Sequence, residues 1–118
     1  MKEKLPLRKE PILRRREQAA GRLPDPRQIL RGTLVERYRK CGRASCHCAR
    51  QGDQGHGPAY YLMVTVRSGK TETIYIPKER RRAVEAWVRN FQSMRERMEE
   101  ISSLNRDLLK IGALFEEG

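Results

Sequence analysis

The sequence predicts an α+β protein in which a small three-stranded antiparallel meander precedes one long C-terminal helix. Three observations support this: three β-branched or aromatic runs, a heptad pattern near the C-terminus, and a cluster of cysteine and histidine between the first two runs. We therefore divide the chain into a basic arm (1–27), a meander with a metal-binding loop (28–77), a long helix (78–111) and a tail (112–118).

The N-terminal arm contains four prolines among scattered arginines. Pro11 suits the first position of a helix, so the segment from Ile12 to Ala20 is compatible with a short helical turn. A basic, proline-containing segment of this kind usually lacks a core of its own. We expect the arm to be disordered in isolation and to become ordered on a phosphate backbone.

Three runs predict the strands of the meander. Residues 31–40 form the first, residues 59–67 the second and residues 70–76 the third, each rich in β-branched and aromatic side chains. A three-residue loop with Gly69 in a left-handed conformation would join the last two strands. The result is an antiparallel meander whose first connection contains the cysteines.

The loop length determines which side chains share a face of the sheet. A three-residue loop pairs Leu62 with Ile74 and Tyr60 with Ile76, which gives one aliphatic face that we expect to be buried. The other face carries two tyrosines and, from the first strand, two arginines; they could bind nucleic acid or pack under the helix or a partner. These residues are Tyr61, Tyr75, Arg37 and Arg39.

All three cysteines and both histidines lie between residues 41 and 56, with the spacing C-x4-C-x-C-x7-H. Cys46 and Cys48 are too close in sequence to pair without strain, and three thiols cannot all pair. Three thiolates and one imidazole suit a closed, tetrahedral, structural zinc site. We predict the ligands Cys41, Cys46, Cys48 and His56, with His47 directed away from the metal.

Two other interpretations of this loop remain open. One is a glycine-rich turn with unliganded thiols, and the other is a catalytic cysteine. A catalytic thiol needs a base and an orienting group, and the sequence shows no such set. Four protein ligands would also leave no open position on the metal, so we expect a structural site and no enzyme activity.

The C-terminal helix carries a heptad seam. Pro77 precedes it, and apolar residues recur at intervals of three and four from Val84 to Leu108, with Asn105 as a polar member. We expect the first half to cover its own sheet and the second half to pair with another copy in a homodimer. The alternative is one amphipathic helix folded on its own domain. The predicted interface comprises Phe91, Met94, Met98, Ile101, Asn105 and Leu108.

The chain has a net charge of +11, which favours a polyanionic partner. Nucleic acid is the expected ligand, DNA before RNA; a solubilising surface or an acidic protein partner is the alternative. No apolar run has membrane length or resembles a signal peptide, so we expect a cytoplasmic protein without membrane contact. The predicted nucleic-acid residues are Arg14, Arg15, Arg16, Arg37, Arg39, Arg43, Tyr61, Tyr75, Arg80, Arg81 and Arg82.

The segments GTLVERYRKCGRASCHC, HGPAYYL and GKTETIYIP resemble an uncharacterised prokaryotic family filed as a domain of unknown function. The resemblance covers about residues 31–110 and leaves the N-terminal arm outside. It implies the same four metal positions as the spacing does. Members tend to lie beside mobile-element genes, which implies an accessory role in a nucleic-acid setting by association only.

Together these patterns predict a small zinc-stapled, homodimeric protein that binds nucleic acid mainly through the phosphate backbone. The alternative is an adaptor that dimerises or docks a protein partner through its long helix. The sequence names no base-reading element and no reaction.

Overall fold

The computed structural model describes residues 6–116; residues 1–5 and 117–118, which belong to the predicted arm and tail, lie outside the described residues. Two short 3-10 turns lie at His47–Ala49 and Lys78–Arg80. The regular elements are α1 (Lys9–Gly21), β1 (Thr33–Arg39), β2 (His56–Arg67), β3 (Lys70–Ile76) and α2 (Arg81–Lys110).

The sheet is a three-stranded antiparallel meander in the order β1-β2-β3, as predicted. Leu62 pairs with Ile74 and Tyr60 with Ile76, so the predicted register is confirmed. Gly69 has a φ of 73° in the turn between β2 and β3, and the register shifts just before that turn. This irregularity is the extra residue of a three-residue hairpin loop, which fixes the faces of both strands.

The aliphatic face of the sheet is only partly buried. Leu62 and Ile76 are buried, whereas Ile74 is 45% exposed, so the expectation that this whole face is covered is wrong. The start of α2 lies near β2 and the chain before β1: the Arg81 guanidinium is 5.1 Å from the Tyr60 ring centroid. Ile74 lies on the edge strand β3, in which every residue before Ile76 is exposed.

The chain divides into two compact units. The sheet unit comprises residues 29–89, which include the three strands, the cysteine loop and the first nine residues of α2. The helical unit comprises, among the described residues, 6–28 and 90–116, which include α1 and the rest of α2. The segment predicted as a free arm therefore contributes a 13-residue helix to a folded unit.

The helical unit has an apolar core built from α1 and the end of α2. Ile12 packs with Leu104, Leu108 and Ala113 in one buried cluster. Leu108 is fully buried in this cluster, so α1 supplies an apolar partner that we expected from another chain. The interface with a second copy stays a prediction.

Asn105, the polar residue of the heptad seam, also has a partner within its own chain. Its Oδ1 accepts a hydrogen bond from Arg16 Nη1 at 3.0 Å. The amide oxygen is thus satisfied by α1, and a partner in a second copy is not required to explain this polar residue in the seam.

The end of α2 shows how the sequence stops a long helix. Gly112 has a φ of 72°, and its N–H donates to the Leu109 carbonyl at 3.1 Å. The next N–H, that of Ala113, donates to the Leu108 carbonyl at 2.8 Å. This pair of bonds is the Schellman motif, and Ala113 returns into the core against Leu108.

None of the helices among residues 6–116 combines the length and the apolar character needed to cross a bilayer.

Candidate metal centre

The four predicted ligands lie together in the sheet unit. The Sγ atoms of Cys41, Cys46 and Cys48 and a ring nitrogen of His56 are all within 4.8 Å of one another. Cys41 and Cys48 approach to 3.5 Å between sulfurs, and Cys46 Sγ lies 3.1 Å from His56 Nε2. The prediction that these four residues converge is confirmed.

The spacing of these atoms suits a tetrahedral ion. Zinc–sulfur bonds of about 2.3 Å place two thiolates of a tetrahedron roughly 3.8 Å apart. The Cys41–Cys48 separation of 3.5 Å is slightly shorter than this, and all four donor atoms lie within 4.8 Å of one another. Small side-chain movements would therefore let all four atoms bind one metal ion.

The loop backbone holds three of the ligands in place. Cys41 follows β1, while Cys46 and Cys48 belong to a 3-10 turn in which the Ala49 N–H donates to the Cys46 carbonyl at 3.0 Å. The Cys41 N–H points at Cys48 Sγ, 3.4 Å away. Such N–H···S contacts favour the thiolate form that a metal requires. Cys48 is buried, which shields this side of the cluster from water.

The fourth ligand, His56, is positioned by the glycines on either side of it. A Cβ at Gly55 would lie 2.7 Å from the Arg39 carbonyl oxygen, and one at Gly57 would lie 2.8 Å from the Arg37 carbonyl oxygen. Gly55 also has a φ of +96°. Only glycine permits β2 to start this close to β1, and this brings the imidazole to the thiols.

His47 lies outside the cluster, as predicted. Its Nδ1 is 3.1 Å from Asp53 Oδ2, and Asp53 Oδ1 accepts the Gly55 N–H at 2.8 Å. The Gly55 hydrogen bond, followed by the contact with His47, lowers the pKa of Asp53 below its usual value. Asp53 therefore connects the 3-10 turn to the glycine that precedes His56.

The metal-free thiols differ in acidity. The backbone N–H of Arg43, with smaller contributions from His56 and Cys48, lowers the pKa of Cys41 to about 6. The Cys41 N–H acts on Cys48 in the same direction, but burial and the neighbouring thiols outweigh it and raise the pKa of Cys48. Cys41 is thus better prepared than Cys48 to bind a cation at neutral pH.

The sheet face opposite the aliphatic one carries the predicted tyrosine–arginine cluster. The rings of Tyr61 and Tyr75 are 5.8 Å apart at an interplanar angle of 66°, and the Arg37 guanidinium is 5.3 Å from the Tyr61 centroid. Tyr75 is 61% exposed, so it does not pack under the helix. Arg39 and Arg43 are exposed nearby in the same unit.

The arginines at the start of α2 are not equivalent. Arg80 and Arg82 are exposed, whereas Arg81 lies over the Tyr60 ring and its Nη1 is 3.2 Å from a Glu85 carboxylate oxygen. Arg81 is thus engaged within the sheet unit, whereas Arg80 and Arg82 have no carboxylate partner among residues 6–116.

The remaining predicted residues lie in the helical unit. Arg14 and Arg15 are exposed on α1, while Arg16 is half-buried against Asn105. Of the predicted interface, Met98 is 58% exposed, and three further side chains are half-buried. These three are Phe91, Met94 and Ile101.

Sequence reasoning missed the role of Asp53. The signal was present, because an aspartate two residues before a glycine is typical of a turn in which the carboxylate accepts a backbone N–H. It also missed α1 as the partner of α2. The signal for this packing was the seven-residue interval between Ile12 and Ala19, which places both residues on one face of a helix. They are the two buried positions of α1.

A family model matches residues 9–86 of the chain. The match starts within the N-terminal segment, so our expectation that this segment lies outside the resemblance is wrong: α1 is part of the match. A search of curated proteins and a search of solved structures each return no match. The predicted likeness to an uncharacterised family is confirmed, and the chain belongs to the family described as Domain of unknown function (DUF6788).

Proposed function

We propose that this protein is a small structural-zinc protein that binds nucleic acid, mainly through the phosphate backbone. The observation that carries the proposal is the concentration of unpaired positive charge in the sheet unit. Residues 29–89 contain thirteen basic and five acidic residues. Among the described residues, Arg81 is the one cation of this unit that forms an ion pair with a carboxylate.

The donor set supports zinc as the metal. Three thiolates and one imidazole favour zinc over the hard cations calcium and magnesium, which prefer oxygen ligands. With four protein ligands the ion has no position for water or substrate, so it supports the fold and not a reaction. The sheet unit needs this support because its buried side chains are few: Cys48, Leu62 and Ile76.

Phosphates are the groups that such a surface recognises. Exposed guanidinium and ammonium groups displace counterions from a nucleic acid, so binding weakens steeply as salt rises. The described part of the helical unit, by contrast, has eleven basic and eight acidic residues, and several of its cations are ion-paired. These pairs include Lys9–Glu116, Arg97–Glu100 and Arg106–Glu99. We therefore place phosphate contacts mainly on the sheet unit.

The test compares equal charge changes in the two units. Labelled DNA and RNA are titrated with the zinc-loaded protein at several salt concentrations, and binding is followed by fluorescence anisotropy. One variant carries Arg39→Glu and Arg43→Glu, and the matched control carries Arg14→Glu and Arg15→Glu. All four side chains are exposed and lack a carboxylate partner among the described residues.

We expect the sheet-unit variant to lose most of its affinity and to show a shallower salt dependence, since the slope scales with the number of phosphates neutralised. The helical-unit variant should lose less. No binding by the unchanged protein beyond that of a basic peptide of equal charge would refute the proposal. Equal losses in both variants would refute the assignment to the sheet unit.

A second candidate function is self-association through the helical unit. Met98, Ile101 and Leu109 line an open, mostly apolar groove of about 380 Å³, and Met98 and Leu109 are more than half exposed. An apolar surface on an otherwise charged helix is typical of an interface. Sedimentation of Met98→Glu, with Gln92→Glu as an exposed control on the same helix, tests it. If the parent protein itself sediments with the mass of a monomer, this candidate function is excluded.

A further inference from the structure

We propose that the tyrosine-bearing face of the sheet is a stacking platform for unpaired bases, so that the preferred ligand is a single-stranded nucleic acid. This inference rests on the proposed nucleic-acid function and adds the substrate class. Its three central groups are Arg37, Tyr61 and Tyr75, called here the stacking row.

The stacking row crosses the whole width of the sheet. Tyr61 and Tyr75 are direct partners in the β2–β3 register. Arg37 of β1 reaches the same place from the other side, with its guanidinium 5.3 Å from the Tyr61 centroid. Its Nη2 also lies 3.3 Å from Met63 Sδ, so this exposed arginine lies along the surface of the sheet. The row thus offers three planar groups on neighbouring strands, which are about 4.8 Å apart.

The exposure of the row suits a ligand better than a core. Tyr75 is 61% exposed, although its ring is large and apolar. The start of α2 contacts the opposite face, where Arg81 lies over Tyr60. An aromatic ring left open in this way can stack a base of any identity, since every base has a π-face. The half-buried Tyr61 lies beside it, with 5.8 Å between the ring centroids.

Charge on this face matches a polyanion. Side chains alternate between the two faces of a strand, so both acidic residues of the sheet fall on the opposite face from the stacking row. Glu36 pairs with Tyr60, and Glu72 pairs with Val64, both of which belong to the aliphatic side. The tyrosine face therefore combines an arginine with no strand carboxylate, inside a unit with an excess of basic residues.

A duplex would gain little from such a face. Its bases are stacked on one another and present only their edges in the grooves, so ring planes on a protein find no free base plane. A single strand can place its bases on Tyr61 and Tyr75 while exposed cations of the sheet unit contact its phosphates. The competing possibility is a protein partner that covers the same face, and the binding experiment with nucleic-acid probes distinguishes the two.

The experiment uses the full-length, zinc-loaded protein and four labelled probes of about twelve nucleotides, a length within the usual range for one binding fold. The probes are oligothymidine, oligouridine, an abasic strand with the same number of phosphates, and a duplex. We expect the two single strands with bases to bind more tightly than the abasic strand and the duplex. The ratio of oligothymidine to oligouridine affinity then distinguishes DNA from RNA as the source of the strand.

Variants of the stacking row identify the side chains responsible. Tyr61→Ala and Tyr75→Ala should each weaken binding to oligothymidine by about fivefold to a hundredfold, since stacking on one aromatic ring contributes that much. Neither should change binding to the abasic strand or the salt dependence. Tyr61→Phe and Tyr75→Phe keep the ring and should bind as the parent does.

The matched control is Tyr38→Ala. Tyr38 is an exposed tyrosine of the same sheet, but it lies on the opposite face, where its hydroxyl donates to Glu36 at 3.1 Å. We expect no change in binding from this variant. Unchanged affinity in Tyr75→Ala, or an equal loss in Tyr38→Ala, would overturn the inference. A preference for the duplex would also overturn the inference, although the proposed phosphate-binding function would then stand. Absence of binding to every probe would instead refute the phosphate-binding function.

Discussion

The sheet unit and the helical unit solve the problem of a small core in different ways. The helical unit buries a contiguous apolar cluster centred on Leu108, which is completely inaccessible to solvent. The sheet unit has only Leu62 and Ile76 as buried aliphatic side chains, and its third buried residue, Cys48, belongs to the metal cluster. Small domains with so little apolar burial usually need a metal or disulfides to remain folded.

The same contrast appears in the charges. Excess positive charge in one compact unit destabilises it through self-repulsion, and the sheet unit holds most of that excess. A bound metal ion stabilises the fold without using surface area, so the strands can leave arginines and tyrosines exposed. The difference supports our proposal that a metal ion takes the place of a core in the sheet unit and leaves its surface available for binding.

Metal removal gives the largest expected difference between the units. Structural zinc supplies on the order of 10 kcal/mol of folding free energy in small zinc domains. A strong chelator should therefore unfold the sheet unit and leave the helical unit folded. Amide hydrogen exchange should show lost protection at Leu62 and retained protection at Leu108. Retained protection of β2 in the chelated protein would contradict the comparison.

Two histidine variants make the metal prediction specific to the ligand set. His56→Ala should lose bound zinc, since it removes one of four donors. His47→Ala should keep it, since that ring contacts Asp53 and lies outside the cluster. Both can be followed by the zinc content of purified protein.

The core of the helical unit provides the next largest effect. Leu108→Ala should destabilise this unit by about 2–5 kcal/mol, because it leaves a cavity at a fully buried position. Urea unfolding followed by circular dichroism measures the loss, and zinc content should stay unchanged. Leu109→Ala is the adjacent control: this side chain is 59% exposed, so we expect a change within about 0.5 kcal/mol. Comparable losses in both variants would argue against the α1–α2 core.

The glycine before His56 tests how strictly the backbone defines the metal site. Gly55→Ala places a Cβ 2.7 Å from the Arg39 carbonyl oxygen, and the resulting strain of about 1–3 kcal/mol should weaken zinc binding by about tenfold or more. Gly52→Ala is the control, because Gly52 has a similar φ of +87° but open space around it. Competition with a zinc indicator measures both affinities. A smaller loss for Gly55 than for Gly52 would show that β1 does not constrain the ligand.

Local patterns predicted most of the sheet unit. The register followed from the position of Gly69, and the four metal donors followed from their clustering, because both depend on short stretches of chain. The exposure of Ile74 did not follow from alternation. It depends on how much of the sheet the start of α2 covers, and that is a tertiary property.

The helical unit was harder to predict for a physical reason. A heptad seam predicts that one face of a helix is buried, but it does not say by what. A helix of another copy and another helix of the same chain can bury that face equally well. Leu108 and Asn105 fit both arrangements in the sequence. Only the packing of Ile12 and the hydrogen bond from Arg16 show that α1 occupies this part of the seam.

Removal of the contact between Arg16 and Asn105 has the smallest expected effect. It tests directly whether this part of the seam is buried by α1 or by a second copy. Asn105→Ala should cost about 1 kcal/mol, since it removes one part-buried hydrogen bond at 3.0 Å. A double-mutant cycle with Arg16→Met, read by urea unfolding, should show a coupling of about 0.5–1.5 kcal/mol. If Asn105 instead fixes the register of a helix pair between copies, its replacement would change the sedimentation mass and the coupling to Arg16 would be absent. The cycle therefore separates a seam used within one chain from a seam used between chains.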